Sequence, residues 1–336
     1  MVRTGKPSTF DPGPRGGILG HRTVESRQYA LLAHSAEHFH GKEEVVSSNL
    51  TEGSSDGSGL LRDRKFRDIS VSLGTLSLMQ NFRTQLVERG TQVVNSTIDS
   101  CVRVVPGGSF LCPVCNVSGR LSTSVSVTGA RRWARCPRCG SMERHRLQTF
   151  ALNSRVLPAL AGRNPRVLHI APEASIAAIL VDVAASYTSA DFSRTDVDLQ
   201  IDLRDSGLPD ASYDLVYASH VLEHIDRDRD AIREIRRILA PGGLAVLPVP
   251  LVSQTTIEYP QPAPLEAMHV RAPGTDYFDR YRSEFSRVDV VTSLDAPTEI
   301  QPFVFEDRSQ WPTKKMPWRT ASPGRFHLDA VPLCWV

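Results

Sequence analysis

The stretch from Tyr213 to Pro250, YDLVYASHVLEHIDRDRDAIREIRRILAPGGLAVLPVP, constrains the fold most. Leu215, Val216 and Tyr217 form a short apolar run suited to a strand buried on both faces. From Asp228 to Leu239, Ile232, Ile235 and Leu239 recur at helical spacing, with Arg and Asp on the other side. Pro241-Gly242-Gly243 is expected to stop that helix, since proline cannot continue it and glycine accepts positive φ. Leu244 to Val249 reads as a second apolar strand. Together these make one βαβ unit of an open α/β sheet. Ligands of such sheets bind beyond the carboxyl ends of the strands. Here that edge carries Ser219, His220, Glu223 and His224.

The residues before this unit extend the same sheet. Arg166 to Ile170 (RVLHI) is expected to be its first strand, followed by Ala171-Pro172-Glu173 and the apolar helix ASIAAILVDVAA. Pro172 suits a first helical turn, and Glu173 suits the positive end of the helix. Tyr187 to Asp191 (YTSAD) and Val197 to Asp202 (VDLQID) read as strands two and three, each ending in an acid. An acid in that position accepts ribose hydroxyls, although Asp also closes strand ends for turn chemistry alone.

A compact cysteine module precedes the sheet. FLCPVC opens it and RCPRCGSMERHR closes it. Cys112, Cys115, Cys136 and Cys139 form two CxxC knuckles twenty residues apart, the spacing of a zinc ribbon. Each knuckle turns two thiolates onto one metal, and two knuckles complete a tetrahedron. A closed four-thiolate site leaves no position for substrate, so structural Zn2+ is the expectation. Redox-active or unligated CxxC pairs are the alternatives. Between Cys101 and Pro165 stand ten arginines against one acid, Glu143. They read either as a patch for nucleic acid or an anionic substrate, or as a solvated face with Glu143 pairing Arg144 or Arg146. Ser141 to Val156 is expected to be a helix leading into the sheet domain.

YDLVYASHVLEHI followed by LAPGGLAVLPVP resembles the class I S-adenosylmethionine (SAM)-dependent methyltransferases of the type 11 group. CPVC and CPRCGSMERHR resemble the subset of that group with an N-terminal zinc ribbon, and HIAPE at 169–173 is similar to theirs. The resemblance covers about Phe110 to Val291. It implies a seven-stranded, Rossmann-like α/β sheet preceded by the ribbon, and SAM as methyl donor. SAM lacks a pyrophosphate, so a glycine-rich loop is less needed. The implied cofactor residues are His169, Ala171, Glu173, Asp191, Asp202, Leu203 and Ser219. Asp202 would accept the adenine amino group, Leu203 would offer its amide, and Glu173 would meet either the methionine ammonium or only its own helix. His220 is the first candidate base and His269 the second; the alternative is that no side-chain base is used. His269, Arg271, Asp276 and Tyr277 match the family's acceptor side. Arg271 is expected to clamp an anionic acceptor and Tyr277 to line its pocket, against capping by Asp276 and packing by Tyr277. Strands six (Val288 to Ser293) and seven (Ala330 to Val336) are expected to complete the sheet, with seven antiparallel between five and six.

The chain as a whole divides into residues 1–108, a ribbon at 109–148 and a methyltransferase domain at 149–336. The first part lacks a core-forming pattern, apart from a candidate helix at Leu76 to Val94. It reads as a disordered tail or as an upstream extension, with translation starting at Met79. EEVVSSNLTEGS supports the second, because it resembles a translated transfer-RNA gene. No apolar run approaches a membrane span and no signal-peptide pattern opens the chain, so a cytoplasmic protein without a membrane partner is expected. The net charge of +2 excludes little. The expected acceptor is a small molecule or glycan precursor. The alternatives are ribosomal or transfer RNA bound through the basic ribbon, and a non-catalytic SAM-fold binding protein.

Overall fold

A computed structural model of the chain describes residues 89–103, 110–126 and 129–336. Met79, the EEVVSSNLTEGS stretch and most of the candidate helix at Leu76 to Val94 lie outside the described residues.

The central sheet is built from seven strands. They are β5 (Arg166–Ile170), β6 (Ser186–Asp191), β7 (Leu199–Gln200), β8 (Tyr213–Ala218), β9 (Leu239–Val246), β12 (Arg287–Thr292) and β13 (Ala330–Trp335). Their order is β12-β13-β9-β8-β5-β6-β7. From β9 to β7 all neighbours run parallel, and β13 is antiparallel to both β12 and β9. The expected place of strand seven is therefore the observed one.

The strands read as continuous apolar runs because helices cover both faces. Leu168, Ile170, Val216 and Ala218 pack on the side of Ile232, Ile235 and Ile238 from helix α5 (Asp228–Ile238). Val167, Leu215 and Tyr217 pack on the other side, against Leu147 and Ala151 of α2 (Glu143–Ala151) and Ile176 and Leu180 of α4 (Ala174–Val183). Helix α2 widens to π geometry over Leu152–Val156 and continues as α3 (Leu157–Leu160).

Two elements differ from expectation. Helix α5 stops at Ile238, before Pro241, because Leu239 turns extended and buries its side chain as the first residue of β9. Pro241-Gly242-Gly243 instead forms an irregularity inside β9, where pairing jumps from Tyr213–Leu239 to Leu215–Leu244. Gly242 adopts φ +71°, and a Cβ on Gly243 would sit 2.7 Å from the Ala240 carbonyl oxygen. The third strand is also only two residues long. Asp198 accepts hydrogen bonds from both the amide and the hydroxyl of Ser189, which replaces ladder pairing there.

The cysteine module consists of two hairpins, β1–β2 (Phe110–Cys112, Val117–Gly119) and β3–β4 (Ser122–Ser126, Gly129–Arg135). Residues 89–103 form helix α1, which docks on them. Asn95 exchanges hydrogen bonds with the Val125 backbone, Asp99 meets Ser122 and Arg135, and Arg103 donates to the Pro137 carbonyl. This helix lies before residue 108 and contacts the cysteine module.

The C-terminal segment ties the parts together. Trp133 meets Phe305 edge-on, and Gln301 donates to the Trp133 carbonyl. Trp311 and Met316 join a cluster with Tyr259 and Ala263 of β10 (Ile257–Ala263) and Ala272 of β11 (His269–Ala272).

Candidate active site

Strands β5, β6, β7 and β8 point the same way, so the residues after them share one edge of the sheet. Ala171 follows β5 with φ +46°, and its amide donates to Ala190. His220 follows β8 with φ +54°, and its amide donates to Pro248. Left-handed backbone at two non-glycine residues costs about 1–2 kcal/mol each, and such strain clusters at functional sites. Asp191 is buried, and its Oδ1 accepts from the Ser193 and Arg194 amides at 2.8 and 3.0 Å. Asp202 is held by Arg204 through both oxygens, which lowers its pKa. Leu203 is buried beside it. Ser219 accepts from Gln148 at 2.9 Å, and Gln148 accepts from the Tyr217 hydroxyl, so α2 braces the turn after β8.

Other expected site residues have different occupations. His169 is buried inside the sheet layer and pairs with the Tyr187 hydroxyl at 2.9 Å. The Glu173 carboxylate meets Arg144 at 2.6 Å and His145 at 3.0 Å, and it makes no side-chain cap on α4. Helix α4 also begins two residues after Pro172, so that proline precedes the first turn. Arg271 is not available to clamp an acceptor. Its guanidinium donates to the carbonyls of Leu222, Ile225 and Asp226 and pairs with Glu258. Asp276 caps nothing of its own helix but holds Thr256. Tyr277 is buried and donates to Asp228, as packing would require.

The turn after β8 gathers three imidazoles on one acid, Glu223, which is fully buried. Its Oε1 lies 3.3 Å from His220 Nδ1, 3.9 Å from His269 Nε2 and 4.0 Å from His224 Nε2. The His224 and His269 rings meet edge-on at 4.7 Å. Burial pushes the Glu223 pKa up, but the surrounding histidines outweigh it and bring it to about 2. Burial lowers His269 to about 3, so that ring is neutral near pH 7. The sequence showed the His and Glu spacing here. It could not show His269 arriving from β11.

In the cysteine module, Cys112 and Cys139 Sγ lie 3.7 Å apart, and Cys115 and Cys136 Sγ 3.8 Å apart. All four sulfurs lie within 4.8 Å of one another. Tetrahedral zinc with bonds of about 2.3 Å needs sulfurs about 3.8 Å apart. Hydrogen bonds among the four thiols push the Cys112 pKa down and those of Cys115 and Cys139 up, so the fit to zinc rests on the sulfur spacing. Several of the ten arginines are engaged nearby. Arg131 pairs with Glu143, Arg144 with Glu173, and Arg163 donates to Gly242. Arg146 is buried and donates to carbonyls of Trp133, Ala134, Ser141, Ile300 and Gln301.

Residues 161–247, which hold β5 to β9 and the whole of this edge, match the family described as methyltransferase domain. The protein carries a methyltransferase domain and is an enzyme of that class. Solved structures similar to it include a SAM-dependent methyltransferase from Archaeoglobus fulgidus. That structure is 14% identical with TM-score 0.37, over 57% of this chain and 94% of the other. One from Mesorhizobium loti is 16% identical with TM-score 0.36, over 55% and 97%. Burkholderia thailandensis 1,6-didemethyltoxoflavin-N1-methyltransferase is 13% identical with TM-score 0.35, over 54% and 74%. No curated protein matches the chain. The methyltransferase domain has no helix among the described residues long and apolar enough to cross a membrane.

Proposed function

We propose that the protein transfers the methyl group of SAM to a small-molecule or glycan-precursor acceptor, with the ribbon held by structural zinc on Cys112, Cys115, Cys136 and Cys139. One observation carries the reading. Ala171, Asp191, Asp202 and Ser219-His220 follow four neighbouring strands of a methyltransferase domain and open on one edge. Bound SAM brings an activated sulfonium methyl, so the protein's task is mainly alignment. Asp191 receives the ribose, because it is buried and only its Oδ1 is engaged by the turn amides. Asp202 and Leu203 flank the adenine. His220 is the better base of the two histidines, since a ring at about 3 takes up a proton poorly at neutral pH. The engagement of Arg131, Arg144, Arg146 and Arg163 within the chain favours a small acceptor over RNA. The same reading gives the protein a cytoplasmic setting.

Calorimetry with SAM tests it. The parent should bind one SAM, and Asp191→Ala should weaken binding roughly ten- to a hundredfold, the loss of a charge-assisted hydrogen bond of about 1.5–3 kcal/mol. Asp202→Ala should cost less, because Arg204 already neutralises that carboxylate. A folded, zinc-loaded parent that binds no SAM would overturn the assignment.

A further inference from the structure

The HVLEH turn and strand β11 together assemble a group of side chains that methyl transfer from SAM does not itself require. Glu223, His224 and His269 place one ligand atom each within 4.8 Å of the others, and His220 Nδ1 stands 3.3 Å from Glu223 Oε1. We propose that this cluster is a second metal site, distinct from the ribbon, that binds one divalent transition-metal ion through Glu223, His224 and His269 with His220 as neighbour.

Three physical features support it. The first is desolvation. Glu223 is fully buried, and neither carboxylate oxygen has a well-formed hydrogen bond; His269 Nδ1 is in the same position. A buried acid in that state is costly unless a cation compensates it. The second is geometry. Ligands about 2.0–2.2 Å from a tetrahedral ion lie about 3.4 Å apart. The observed separations from Glu223 of 3.9 and 4.0 Å close to that value by small side-chain rotations. The third is bracing. Arg271, two residues beyond His269, donates to the Leu222, Ile225 and Asp226 carbonyls. That guanidinium fixes the turn bearing Glu223 and His224 against the strand bearing His269. The cluster is thus held in register by a cation that does not itself reach Glu223.

Two imidazoles and one carboxylate suit Zn2+, Mn2+ or Fe2+ and leave coordination positions open, unlike the closed four-thiolate site. On the methyltransferase reading those positions face the acceptor. A hydroxyl bound there would lose its proton to His220, and its oxygen would take the methyl as the sulfonium becomes a thioether. Metal binding itself does not depend on that reading.

The test uses the full chain with its ribbon loaded. Mn2+ is titrated and followed by electron paramagnetic resonance, because thiolate sites do not favour Mn2+. Zinc per chain is counted in parallel, in case zinc already fills the site. Glu223→Gln, His224→Ala and His269→Gln are compared with the parent, with circular dichroism to verify folding. The expected result is one Mn2+ bound per parent chain, with affinity at least tenfold weaker in each folded variant. Equally supportive is one more zinc in the parent than in the variants. If Mn2+ stays free in the parent and all chains hold the same zinc, the second site does not exist. SAM calorimetry on the same samples separates this outcome from failure of the methyltransferase reading.

Discussion

At the scale of single residues, Glu234 is the clearest case of charge doing structural work. On α5 it accepts from the amide and hydroxyl of Ser206 and pairs with Arg237 at 2.7 Å. Arg237, with burial opposing and Ser206 assisting, holds its carboxyl at about 2, below the usual 4.5. A depressed acid stabilises the fold above its unfolded pKa, and the contribution is lost as pH falls from 4.5 towards 2. Glu234→Gln should therefore cost on the order of 2 kcal/mol at pH 7 and flatten the stability profile across that acid window. Urea melts at several pH values measure both effects. Glu234 carries no special signal in the sequence, since its partners come from the 206–210 loop and its own helix turn. Asp191 and Asp202 did stand out, because acids at or just past the ends of consecutive strands are visible in one dimension, although β7 stops at Gln200, two residues before Asp202. The Arg204 clasp on Asp202 was within reach, only two residues away. The left-handed turn at Ala171 was not, because alanine gives no hint of positive φ.

At the scale of elements, the long motif CPRCGSMERHR resolves into separate tasks. Cys136 and Cys139 belong to the ribbon, Glu143 and Arg144 to ion pairs, and Arg146 to a joint between modules. Arg146 reaches five carbonyls, three in the ribbon and two at Ile300 and Gln301. Arg146→Met should leave those acceptors buried and unpaired, lowering stability by about 3 kcal/mol or more, as denaturant unfolding would show. Arg146→Lys should recover only part, because an ammonium cannot reproduce the planar fork. The βαβ unit was legible from periodicity, and so were the edges of β5, β6 and β13. The end of α5 was not. Leu239 keeps the helical spacing but takes its burial from the sheet, and tertiary packing decides between the two. Arg271 misled for a similar reason. An arginine beside an acceptor site reads as an anion clamp, yet this one is spent on backbone carbonyls brought close by the fold.

At the scale of the molecule, helix α1, the ribbon and the C-terminal segment form one support for the sheet domain. If the four cysteines hold structural zinc as proposed, removing it with a chelator, or by Cys136→Ser, should loosen more than the knuckles, since metal binding and folding are coupled at such sites. Amide hydrogen exchange should rise in residues 300–306 as well, because Trp133 packs on Phe305 and Gln301 donates to Trp133. Exchange confined to 110–140 would contradict the joint support. Diffraction from crystals grown with S-adenosylhomocysteine would show what the edge of the sheet binds. The ribose should lie on Asp191, the adenine between Asp202 and Leu203, and the sulfur towards Ser219 and His220. Ligand density away from β5, β6 and β8, or none in crystals of zinc-loaded protein, would contradict that placement.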